Sequence, residues 1–252
     1  MSIVSPDAAA SWPNHAPLHE AESSACGRIA KNGCNAYYLQ CFGWNNQGIA
    51  AQCGPEQYSI EPGSRQLMLH RLNPGGQPSA DCVWWNYRPV WANGGDAAVA
   101  TATATAAQVT GGVGSFYAPW LRRQRAIMPV DGWFQWADID DVRHAHYITA
   151  RNRHPLFVAV ITLFESGGHS NGPERGMAVI TTDEGRIEMH ENRPVIFERF
   201  DALNWIDPAL TPIQAEQLMR DLARPVDDFE WWSVGGADKA KWETMPAMIQ
   251  SF

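Results

Sequence analysis

Three things are scarce in this 252-residue chain, and each scarcity removes a class of function. No run of 18 apolar residues occurs, so the sequence contains no membrane-spanning helix. The first 25 residues lack a basic segment followed by an apolar stretch, which excludes a secretory signal. Their Ala, Pro and Ser content predicts a flexible arm over 1–25, with the folded domain over 26–252. Basic residues are outnumbered, 19 against 27 acidic, giving a formal charge of −8. That balance argues against a strong salt-driven nucleic-acid binder, because phosphate affinity comes largely from Lys and Arg.

Cysteine is also sparse. Five residues (Cys26, Cys34, Cys41, Cys53 and Cys82) form no CxxC pair and no secreted disulfide framework. Their spacing fits no common zinc site, so no metal and no cofactor are expected. The expectation is reduced, mostly buried thiols in a cytoplasmic protein.

What the sequence has is β-like punctuation. Apolar runs at Gln66–Leu72, Cys82–Tyr87 and Gly176–Thr182 alternate with Gly- and Pro-rich loops at 73–81 and 165–176. Arg125–Asp138 reads as strand, Pro-containing turn and strand. His144–Ala150 and Pro155–Glu165 read as a hairpin. Helix signals are fewer. Thr211–Arg224 is the clearest, with Thr211 as N-cap, Pro212 in the first turn, and Ile213, Leu218 and Leu222 as the apolar face. Ala97–Gln108 suits strand by alternation and helix by Ala content. No linker divides the chain after Cys26, which gives one α+β domain, mainly β.

Chemistry-bearing residues concentrate in two stretches. Gln135 is the one polar side chain among Trp133, Phe134 and Trp136, so it must be hydrogen-bonded, either as a structural clip or in a pocket. His190 precedes Arg193-Pro194. His144 and His146 share a strand face, but two imidazoles without a third ligand do not make a metal site.

The blocks "ACGRIA", "QYSIEPGS", "WWNYRP", "RAIMPVDGWFQW", "PLFVAVITLFE" and "MHENRPVIF" occur in the order found in the SRAP family, which the chain resembles from Cys26 to near its C-terminus. These are the SOS-response-associated peptidases, or abasic-site processing proteins. The resemblance implies a twisted, barrel-like β core with a few helices and a groove for single-stranded DNA carrying abasic sites, in a monomer. It implies that Cys26 is the nucleophile. In the family an N-terminal Cys condenses through its amine with the aldehyde of an abasic site, and its thiol closes a thiazolidine ring. An internal Cys has an amide in place of that amine. His190 matches the family's active-site His, and Arg28, Arg88, Trp91 and Arg193 fall at or beside DNA-contacting positions. Arg122, Arg123 and Arg125 are further candidates, unless "RRQR" is a solvated turn.

The departures run one way. Gln135 stands where the family has Glu, and an amide cannot transfer a proton. Thr101 and Thr103 replace an Asn and an Arg, and Asn192 replaces an Arg. Ser59 replaces an Asn, and Glu61 an Ala. Three readings of Cys26 stay open: release of the arm after Ala25, a start lying elsewhere, or a retained arm with Cys26 a relic in a non-catalytic homologue. A thiol protease built on Cys26 and His190 lacks any oxyanion hole legible in the sequence.

Overall fold

The computed structural model describes residues 27–44, 57–92, 100–139, 142–165, 175–184, 187 and 192–234. Cys26 and His190 therefore lie outside the described residues, as do the arm and most of the 165–176 loop.

Two antiparallel-dominated sheets share one core. The smaller has five strands in the order β13 (Phe229–Ser233), β8 (Val142–Ala150), β7 (Gly132–Ile139), β1 (Arg28–Lys31) and β2 (Gln57–Ile60). The larger runs β11 (Arg193–Pro194), β10 (Met177–Thr182), β9 (Leu156–Thr162), β6 (Arg125–Val130), β3 (Arg65–His70) and β4 (Ser79–Trp84). Beside that path β12 (Ile196–Phe197) pairs with β9, and β5 (Thr103–Thr105) lies parallel to β10.

The expected hairpin of 144–150 with 155–165 does not form. β6 pairs with β9 and β7 with β8, so each chain segment leaves one sheet and continues into the other. One strand pair thus bends between the sheets, turning at Asp131 on one side and at residues 151–155 on the other. Pro129 sits inside β6, not in the turn. The barrel-like core is this bend; among the described residues the sheets do not close into a barrel.

β9 explains why the sequence "LFVAVIT" shows no alternation. All seven residues are buried, because both faces are covered. Leu156, Val158 and Val160 pack between the sheets with Trp133, Ile148 and Phe229. Phe157, Ala159 and Ile161 face a layer of helices. That layer holds α1 (Asn35–Phe42), α2 (Ala106–Thr110), α3 (Tyr117–Leu121), α4 (Arg199–Trp205) and α5 (Pro212–Leu222). α5 starts at Thr211 with a capping box to Gln214, as its sequence predicts. Its buried stripe is Ala215, Leu218 and Met219; of the expected face only Leu218 is buried, Ile213 and Leu222 being exposed. The ambiguous Ala97–Gln108 run holds a strand and a helix in succession, β5 and then α2, the change being fixed by a Thr105–Gln108 capping box.

Arg125 is fully buried at the start of β6, not in a solvated turn. Its guanidinium donates to the carbonyls of Trp205, Asp207 and Leu210 and lies over the rings of Trp120 and Trp205. Burial lowers its pKa to about 10. This cation therefore ties α4 and α5 to the sheet and is not available to DNA. Arg122 and Arg123 are exposed.

The cysteines also depart from expectation. Cys34 is exposed, Cys41 half-buried, and Cys82 disulfide-bonded to a partner outside the described residues.

Candidate functional site

β1 and β7 build the site. Their register is Arg28↔Phe134, Ile29↔Trp133 and Ala30↔Gly132. The alternation of strand side chains then sorts the residues. Ile29 and Trp133 enter the core between the sheets. Ala30, Phe134 and Trp136 lie on the opposite face with Tyr58, Tyr147 and Trp232, and Arg28 shares that face through its own register.

Gln135 is 3% exposed, and its described polar contacts are made inside the fold. Its Oε1 accepts from the Trp133 indole N–H at 3.1 Å, and its Nε2 donates to the carbonyl of Asn192. The clip reading is the one the contacts support. What it clips matters, because Asn192 lies two residues after His190. The next residues, Arg193 and Pro194, pair with Thr182 and Thr181 of β10. Residues 192–194 are therefore pinned to both sheets, the smaller one holding Asn192 through Gln135. Arg28, paired with Phe134, and Asn192, bound by Gln135, are thus brought to adjacent positions of β7.

Arg28 is buried. Its Nη1 donates to Ser59 Oγ at 2.5 Å, its Nη2 is ion-paired with Glu61, and the guanidinium lies 5.9 Å from the Trp136 ring centroid. Two residues noted in the sequence only as departures, Ser59 and Glu61, are thus its direct partners.

Arg193 points inward as well. Its Nε donates to the Glu184 carbonyl at 3.0 Å, and it lies over the Phe229 ring. Desolvation lowers its pKa.

A second group gathers around Tyr87. Thr101 exchanges backbone hydrogen bonds with Tyr87, and its hydroxyl donates to the Thr103 carbonyl. Thr103 is paired with Val179 in the larger sheet. Arg88 is half-buried, its backbone N–H donating to Arg175. Trp91 is 66% exposed, a ring free to stack on a flat ligand.

At the end of β1 is a cluster that the sequence did not signal beyond its Asp-Gly turn. The Asp131 carboxylate accepts from the Asn32 N–H and the Tyr38 hydroxyl. Lys31 is buried 5.1 Å from the Tyr38 ring centroid. Desolvation lowers Lys31 to about 8 against the pull of Asp131, and desolvation raises Asp131. The cluster fixes residues 31–33, hence the height at which β1 presents Arg28.

Among the described residues no group of three or more His, Cys, Asp or Glu side chains could hold a metal ion. No described helix is long and apolar enough to cross a membrane.

Comparison with known proteins identifies the fold and the family. The abasic site processing protein YedK of Escherichia coli is 25% identical over 218 residues, covering 84% of this chain and 93% of its own length. The solved structure of a phage-related protein of Bordetella bronchiseptica superposes with a TM-score of 0.68 at 26% identity. The match covers 84% of this chain and 97% of that one. A protein of Bacteroides thetaiotaomicron shares the fold at a TM-score of 0.73 and 18% identity, over 89% and 99% of the two chains. The family model for the SOS response associated peptidase (SRAP) spans residues 25–237, beginning one residue before the cysteine on which the chemistry would rest, and the chain belongs to that family.

Proposed function

We propose that this chain binds single-stranded DNA and processes abasic sites in it, with Cys26 as nucleophile and His190 as proton carrier. The observation that carries this is that β7 brings together Arg28, two residues after Cys26, and Asn192, two residues after His190, at its adjacent positions Phe134 and Gln135. The similarity to an abasic site processing protein supports the same substrate. The chemistry is amine plus thiol against an aldehyde. The amine attacks the ring-opened sugar, water leaves to give the imine, and the thiol adds to the imine carbon to close a thiazolidine. A free α-amine with a pKa of roughly 7.7–8.0 is partly neutral at physiological pH, and an amide nitrogen is not nucleophilic. Self-processing that releases residues 1–25 would supply that amine. Gln135 positions the segment that follows His190 and moves no proton. Trp91 supplies a stacking platform, with Arg88 beside it. The protein acts as a monomer in the cytoplasm.

A second reading is a non-catalytic homologue that binds DNA or regulates. It is favoured by the engagement of Arg28 with Glu61, by the inward turn of Arg193, and by the amide at 135. One experiment separates the two. The purified chain is incubated with a single-stranded oligonucleotide carrying one abasic site and resolved by denaturing electrophoresis, with intact mass read in parallel. A DNA adduct on a chain that begins at Cys26 supports the first reading. Binding without an adduct after the arm has been lost supports the second.

A further inference from the structure

We infer that the Glu61 carboxylate occupies, on the Arg28 guanidinium, the place that a nucleic-acid phosphodiester would take, and so sets how tightly this chain holds a DNA backbone. The inference rests on the DNA-binding reading given above and adds to it the residue that limits affinity.

The asymmetry of the ion pair is the starting point. The Arg28 side chain is 7% exposed and Glu61 is 53% exposed. The cation is thus held by the fold, on a strand, between Ser59 and the Trp136 ring. The carboxylate approaches from the solvent side. Carboxylate and phosphate oxygens satisfy the same guanidinium fork, so an exposed carboxylate is the exchangeable member of such a pair.

Glu61 is placed by its own turn. Gly63 has a φ of 88°, behind Pro62, and the Ser64 hydroxyl donates to the Glu61 carbonyl at 2.9 Å. Pro and then Gly at the central positions is the pattern of a type II turn, with Glu61 as its first residue. The Gly63 N–H is also anchored to the Trp85 carbonyl. None of these contacts uses the Glu61 side chain. Its removal leaves the turn standing and withdraws this carboxylate from the guanidinium. A ligand phosphate must displace the carboxylate, and the negative charge then remains beside the ligand.

The test measures binding of a fluorescent oligothymidylate of about 15 nucleotides to the full chain by anisotropy over a range of salt concentrations. Glu61→Ala and Glu61→Gln are compared with the wild type; the Gln variant keeps the shape and loses the charge. Both variants are expected to bind roughly tenfold tighter at low salt, as for one charge-assisted hydrogen bond regained. The slope of log affinity on log salt should steepen by about 0.7, as for one further phosphate contact on a single strand. Adding Arg28→Ala to either variant should abolish both gains. If the wild type binds but the Glu61 variants bind no tighter with an unchanged slope, the inference is overturned and the DNA-binding reading stands. If neither wild type nor variants bind, both fall.

Discussion

Replacing Gln135 by Glu restores the side chain expected of the family and tests what this position does here. The amide makes two buried contacts of opposite polarity, accepting from Trp133 and donating to the Asn192 carbonyl. A carboxylate keeps the first and cannot make the second while ionised. At 3% exposure it is also desolvated, so its pKa should rise above the usual Glu value of about 4.3. Only the protonated acid can donate to Asn192. The sign follows from linkage. With the folded pKa above the unfolded one, the folded variant binds more protons, and its stability falls as pH rises through the interval between them. Below the unfolded value the variant should approach wild-type stability. At about pH 8 it should be weaker by about 1–3 kcal/mol, the cost of leaving one buried polar group without its partner. Urea denaturation of both proteins at about pH 5 and about pH 8 reads the difference, which should grow by roughly 1.4 kcal/mol for each unit by which the folded pKa exceeds about 5. A Gln135→Glu protein equal to wild type at both pH values would refute the clip and leave Gln135 without an explanation.

Other consequences are equally specific. Lys31, lowered to about 8 in the fold from an unfolded value of 10.5, carries a cost in its charged form that is relieved as pH rises between those values. Wild type should therefore gain up to about 3 kcal/mol relative to Lys31→Met across that window, read by denaturation at both ends. Arg125→Ala strips donors from three carbonyls and should lower stability by about 3 kcal/mol or more, visible as a large fall in Tm. Trp91→Ala should weaken binding of a single-stranded oligonucleotide by about 1–3 kcal/mol and leave Tm unchanged, since the ring is mostly in solvent.

What the sequence made legible follows from how local each signal is. The α5 cap and start were readable because Thr211, Pro212 and Gln214 act within one turn. The strands over Arg125–Asp138 and Pro155–Glu165 were readable as apolar runs, but their pairing was not. Hairpin reasoning assumes that neighbours in sequence pair, and here the chain changes sheet at Asp131. α1 was missed because its N-cap position, Cys34, makes no side-chain cap and its first turn has no acidic residue. In the site, Gln135 was readable as a polar residue that needs partners. Its partner is the backbone of Asn192, 57 residues away, which no side-chain motif announces. The Arg28–Glu61 pair spans 33 residues. The sequence showed both members and the loss of basic residues, yet only the fold shows the two charges neutralising one another. Arg125 and Arg193 read as surface cations because charge is usually exposed; both instead satisfy backbone carbonyls inside the fold.

The central claim is that covalent chemistry here requires an unblocked amine at Cys26. The most direct test compares the full chain, verified by intact mass to retain residues 1–25, with a chain made to begin at Cys26, each incubated with single-stranded DNA bearing an abasic site. An adduct that resists denaturation should form on the second protein alone and disappear with Cys26→Ala. An adduct on the full chain with its arm intact, or none on the chain that begins at Cys26, would contradict the account.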